Sequence, residues 1–285
     1  MTFWISIACL SLFQGLLVAL PGRVPWRALR SLRGGGWAAV LPVSILAFVL
    51  IAREAEQASA QGLTYLALVA VPPLAAIALA VLMRSPPPAR PRNALLAGAL
   101  FALAWADRGG LAGDGAATVL SGLSCVALGA LLGAITPRRW LALGIVAMAI
   151  ADTAFVVSDL LQAPNDALNA ARPAANLPRL QSATFGSAVM GYGDLFVAAV
   201  LGGLLAADGA RRLGPALLVA TLGLSFDLLF FAVHELPATV PVAVALCVLE
   251  LRRRSGAARA ARLAAPGRAR PPAPRARPAS RSPAP

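Results

Sequence analysis

The sequence contains no lysine, one histidine (His234), three cysteines and two tyrosines. Each scarcity removes a class of chemistry. One His beside one Glu, Glu235, makes neither a zinc site nor a Ser-His-Asp triad, and an interfacial capping role at a span end is expected for the pair. Cys9, Cys125 and Cys247 are scattered through apolar runs without metal-ligand or disulfide-framework spacing, so they read as small buried side chains. No metal or cofactor is expected. Charge is also scarce, at 13% of 285 residues, against roughly 25% in soluble domains.

Apolar side chains are plentiful: 59% of the residues are hydrophobic and the mean hydropathy is +0.74. A chain of this kind has lipid as its main solvent. Nine apolar segments can be drawn, at about 3–20, 36–52, 62–83, 93–106, 115–135, 140–161, 184–206, 213–233 and 236–251. Most approach the ~20 residues that a helix needs to cross ~30 Å of hydrocarbon. The expectation is an all-α polytopic membrane protein with nine transmembrane helices. The fourth segment is the shortest, and Pro72-Pro73 should kink the third without ending it.

All 25 basic residues are Arg. With the richness in Ala and Pro, this suggests a high-GC bacterial genome and hence a multi-pass protein of a bacterial plasma membrane. With the N-terminus outside, 21 Arg fall in inside segments (Arg23 to Arg33, Arg84 to Arg92, Arg138-Arg139, Arg211-Arg212 and the tail), leaving Arg53, Arg108, Arg172 and Arg179 outside. That asymmetry predicts an N-out, C-in topology. Ten of the Arg lie between Arg252 and Arg281, in a stretch to residue 285 that holds seven Pro, a composition too polar and broken to build a core. Three regions follow: a five-helix membrane scaffold over 1–135, a membrane region of spans six to nine over 136–251 and a disordered basic cytoplasmic tail over 252–285. The tail should meet anionic lipid, whereas nucleic acid is not expected, because no aromatic residue interleaves its Arg run. Oligomeric state is not readable from the chain.

Of 12 acidic residues, most sit at or beyond span ends. Asp152, Asp159, Asp194 and Asp227 lie within spans, with Glu235 between the last two spans, and an ionisable group at membrane depth is a functional hypothesis by default. Counting ~1.5 Å per residue along continuous helices places Asp152 and Asp194 at matching depths, ~14 and ~15 Å below the outer boundary, and Asp159 only ~3 Å deep. Two carboxyl groups brought together in low dielectric share one proton and titrate as a unit. One can then activate water while the other polarises a carbonyl. The competing readings are a structural pair satisfied by hydroxyl or backbone groups, and a proton relay running through Asp152, Asp194 and Asp227. For Asp227 a helix-helix hydrogen bond is the expected role. Gly191 and Gly193 remove side chains just ahead of Asp194, which would let another backbone approach, and Gly202-Gly203 permits close helix packing. Tyr192 is expected either to donate to one of the acids or simply to pack.

In these features the chain resembles the presenilin and signal peptide peptidase family of intramembrane aspartyl proteases. That family carries an Asp in the sixth of nine spans, Gly-x-Gly-Asp in the seventh and Pro-Ala-Leu at the start of the ninth. Here the matching residues are Asp152, Gly191-Tyr192-Gly193-Asp194 and Pro237-Ala238-Thr239. The resemblance, which covers about residues 140–250, implies an aspartic endopeptidase that cuts single-span membrane peptides. Asp152 and Asp194 would be its catalytic pair, and Pro237, Ala238 and Thr239 would shape the site and engage substrate. Ala151 stands where the family usually has Tyr, and Thr239 where it has Leu. A second resemblance, to type IV prepilin peptidases, pairs Asp194 with Asp159, because Asp159-Leu160-Leu161-Gln162-Ala163-Pro164-Asn165 is similar to their other Asp segment. In that family a Lys commonly follows Gly-x-Gly-Asp two residues on; here the position is Phe196.

Overall fold

The computed structural model describes residues 3–54, 56–82, 90–233 and 235–264. It is mostly helical, and every apolar segment drawn above contains a helix: α1 (Phe3–Ala19), α2 (Val40–Glu54), α3 (Glu56–Ile77), α4 (Leu95–Ala106), α5 (Leu111–Ile135), α6 (Arg138–Val157), a short α7 (Gln162–Ala170), α8 (Tyr192–Ala207), α9 (Leu213–Asp227) and α10 (Val240–Ala264). Among the described residues four helical stretches are long and apolar enough to cross a membrane: Ala58–Leu82, Leu111–Ile135, Arg138–Val157 and Leu213–Phe231. Pro72 and Pro73 lie inside α3, which continues through them and ends in a π turn at Ala78–Leu82. Large apolar side chains face outward on many of these helices, with Val69 74% exposed and Leu95 77%. Such surface has no place in water and suits a lipid environment.

The core is the crossing of α5 and α8. Every residue from Leu195 to Ala206 of α8 is buried, as expected of a helix that is apolar all round. The two backbones touch where side chains are missing. A Cβ on Gly203 would fall on the Gly129 carbonyl, and one on Gly133 would fall on the Gly203 carbonyl. Close approach of small residues replaces the hydrophobic drive that helix pairs lack in lipid. Around this pair, α1 lies against α8 and α9, α3 and α4 lie against α5, and α6 lies between α2 and α8. Arg138 at the start of α6 forms an ion pair with Asp208 at the end of α8.

Two expectations change. The fold is not strictly all-α: Ser182–Phe185 (β1) and Ala188–Gly191 (β2) form an antiparallel hairpin where a continuous seventh helix was expected, with Ser182 opposite Gly191 and Phe185 opposite Ala188. Its two-residue connection has Gly186 first, at φ 60°, the requirement of a II′ turn. Strands packed among apolar helices need their free carbonyls satisfied by protein. Hydroxyls on α5 contribute: Thr118 donates to the Thr184 carbonyl of β1 at 3.0 Å and Ser121 to that of Leu180, two residues before β1, at 3.0 Å. Ser6 of α1 accepts from the Ser187 amide at 3.3 Å and so ties down the turn.

The α5–α8 crossing packs part of 1–135 against part of 136–251 within one compact unit that runs to Cys247. Second, α10 continues as helix through Ala264, past the expected start of a disordered tail at 252. Ala257, Ala258, Ala260, Ala261 and Ala264 are strong helix formers, as are the Arg between them, and no Pro interrupts before Pro266. Residues 265–285, the rest of that tail, lie outside the described residues.

Candidate functional site

The hairpin moves Asp194 to a different structural position. Gly191, extended at φ −63° and ψ 148°, is the cap of α8, and Asp194 sits in the first turn and accepts the Gly191 amide on Oδ2 at 3.1 Å. A carboxyl there satisfies an orphan N–H and complements the positive end of the helix dipole. The ~15 Å depth count therefore does not apply, because it treated 184–194 as ten helical rises whereas the strands fold back on each other. Asp194 lies two residues into α8 and Asp152 five residues before the end of α6, ~3 and ~7.5 Å along their helices. Both acids are thus near helix ends that meet.

They face a common cavity of about 760 Å³. Asp152 and Asp194 line it and act on one another electrostatically. Asp152 is 8% exposed and accepts the Thr239 hydroxyl on Oδ2 at 2.6 Å. Thr239 and Ala238 form a turn just before α10, with Pro237 ahead of them in non-helical chain. The segment expected to open the ninth span as helix is therefore loosened over 236–239, and Pro241 falls in the first helical turn, where its missing amide costs little.

Asp159 is not brought to the cavity. It sits exposed in the turn after α6 at φ 55°, a left-handed conformation that Asp tolerates. Tyr192 lines the cavity but bonds to neither acid. Its hydroxyl lies 2.7 Å from Ser124 Oγ, and since Ser124 directs its own proton to the Ser121 carbonyl, Tyr192 is the donor. On the side where a Cβ would stand, no other backbone approaches Gly191 or Gly193. A Cβ on Gly193 would meet only Met148 Cε at 3.5 Å, and one on Gly191 only the carboxyl of Asp194. The space beside them is the cavity itself, which both residues line.

Two further acids line the same cavity, Asp227 and Glu235. Asp227 accepts the Ser11 hydroxyl at 2.6 Å, the expected hydrogen bond between helices. Burial pushes the Glu235 carboxyl above its ordinary range, and the nearby charges of Asp166 and Asp159 add to this. His234 lies outside the described residues. No Arg lines the cavity among the described residues, and no group of three metal-ligating side chains is found among them.

One polar residue of the site was not singled out by sequence reasoning. Gln14 of α1 is 1% exposed, and its amide donates to the carbonyls of Asp194 at 3.2 Å and Ala238 at 2.9 Å. The available signal was a Gln in the middle of an otherwise apolar span, a polar group that must find partners inside the protein. Comparisons with protein-family models, with curated proteins and with solved structures found no match to this chain.

Proposed function

We propose that the protein is an intramembrane aspartyl protease that hydrolyses peptide bonds of single-span membrane peptides with the Asp152/Asp194 pair. The observation that carries this reading is the convergence of the Asp152 and Asp194 carboxyls from α6 and α8 on one cavity, Asp152 buried and Asp194 half-buried, each with an oxygen held by a neighbouring donor. With a single shared proton, the ionised carboxyl removes a proton from water as its oxygen attacks the scissile carbonyl carbon. The protonated one donates to the carbonyl oxygen. When the tetrahedral intermediate collapses, the C–N bond breaks and the leaving nitrogen takes up a proton.

A helical substrate hides its amides, so cleavage requires local unwinding. Two features favour an extended substrate. Among the described residues β2 pairs only with β1, so its other edge can accept a strand, and it leads directly into Gly191 to Asp194. On another wall of the cavity the chain over 236–239 is non-helical.

The nine-span, N-out and C-in arrangement in a bacterial plasma membrane belongs to this reading. Its support is the Arg asymmetry, together with the ion pair of Arg138 with Asp208 and the bond from Arg23 to the Ala206 carbonyl at one shared end of the helices. Contact of the basic C-terminal region with anionic lipid is part of the same proposal.

The test is a reporter transmembrane peptide in liposomes. Asp152→Asn and Asp194→Asn each lower the cleavage rate at least about a hundredfold while the protein stays folded; full activity in either variant refutes the assignment. A proton-coupled transporter is the second reading, favoured by Asp227 lining the cavity of the other two acids. Proton-dependent uptake into vesicles with no cleavage of any membrane peptide would establish it instead.

A further inference from the structure

Between the two acid-bearing segments runs a path of hydrogen bonds and main-chain links through a third element. The side-chain nitrogen of Gln14 has two protons, and the two acceptors within its reach are the main-chain carbonyl of Asp194 and that of Ala238. Ala238 is joined by a peptide bond to Thr239, whose hydroxyl holds Asp152. One amide of α1 thus bridges the residue that carries one acid and the turn that fixes the other. The Ala238 carbonyl belongs to non-helical chain, which no regular ladder anchors.

We infer that Gln14 is a positioning residue that fixes the separation of the Asp152 and Asp194 carboxyls by clamping the start of α8 to the 237–239 turn; the inference rests on the protease reading above. Gln14 touches neither reacting carboxyl. It acts through Asp194's own backbone and through Thr239. Ser11, one turn earlier on the same face of α1, holds Asp227, so α1 braces three of the four acids of the cavity. A misplacement of ~1 Å at a reacting group costs on the order of a hundredfold in rate, so a clamp of this kind is read in turnover rather than in binding.

The experiment uses the full chain in liposomes with the reporter peptide. Gln14→Met keeps the volume and removes both donors. It lowers kcat by about ten- to a hundredfold and leaves KM within about twofold. Gln14→Glu provides an arm that requires only one folded preparation. Protonated Glu can donate one bond and ionised Glu none, so its activity relative to wild type rises as pH falls, a trend that a volume-filling role does not produce. Wild-type kcat in Gln14→Met, or a Gln14→Glu profile parallel to wild type, overturns the inference.

Hydrogen exchange separates this outcome from failure of the protease reading. In Gln14→Met the amides of 191–196 and 238–243 exchange together at least about tenfold faster, whereas those of α4 do not change. Unchanged exchange overturns the clamp whether or not the wild type cuts peptides. Faster exchange in a protein whose wild type cuts nothing overturns the protease reading alone.

Discussion

Thr239 donates its hydroxyl to Oδ2 of Asp152 at 2.6 Å across 87 positions of the chain, and both residues are almost wholly buried. The position at which the chain departs from Pro-Ala-Leu thus carries a direct bond to one of the two acids. Thr239 therefore holds a carboxyl of the cavity directly, a contact that an aliphatic side chain at this position could not make.

Thr239→Val keeps the shape and removes the donor. A hydrogen bond to a charged partner contributes about 1.5–3 kcal/mol, and loss at the lower end is about tenfold in rate. The expected result is a drop in kcat of at least about tenfold, most of it restored in Thr239→Ser, measured on the reporter peptide.

Asp159→Asn distinguishes the two possible partners of Asp194. Because Asp159 is exposed in a turn and does not line the cavity, the variant should cleave within about twofold of wild type, whereas Asp152→Asn loses activity. Loss in Asp159→Asn with retention in Asp152→Asn would instead favour the prepilin-type pairing.

Gly203→Ala puts a methyl group against the Gly129 carbonyl at the α5–α8 crossing. Backbone cannot yield as a flexible side chain does, so the substitution should destabilise the protein by about 1–3 kcal/mol. Gly98→Ala, where a Cβ meets nothing within 4 Å, is the control. Its unfolding midpoint in detergent should be at or slightly above that of wild type.

Glu235 gives a pH signature at the cavity mouth. Its carboxyl is raised by burial and by Asp166 and Asp159, so the folded state holds the proton more tightly than the unfolded chain does. Stability from this group is therefore present at acid pH and is lost as pH rises through the raised value, in a window that begins at the ordinary glutamate range. Glu235→Gln should flatten the unfolding midpoint across that window and raise it at neutral pH. An unaltered midpoint-pH curve would contradict the burial.

Much of the helical architecture was legible, because a run of apolar residues long enough to cross lipid has few alternatives to a helix. The acids at 152 and 194 stood out for the same reason, as costly groups in an apolar run. The hairpin at 182–191 was hidden by its composition. Ala183, Phe185, Ala188, Val189 and Met190 continue the apolar run into α8, and only Gly186-Ser187 marks the reversal. Length counting then assigned ten helical rises to a segment that turns back on itself.

Sequence alone determined the number and place of the apolar segments, the one-sided distribution of Arg and the two acids, Asp152 and Asp194, that stand out within apolar runs. These follow from transfer free energies summed along a local stretch, which need no knowledge of neighbours. Tertiary structure alone decided that Thr239 holds Asp152, that Gln14 bridges Asp194 and Ala238 across 180 and 224 positions, and that Asp159 stays outside. Inside an apolar protein a polar group must be paired, but sequence periodicity fixes only the face it occupies. Its partner is whichever group the packing of distant helices brings within about 3 Å.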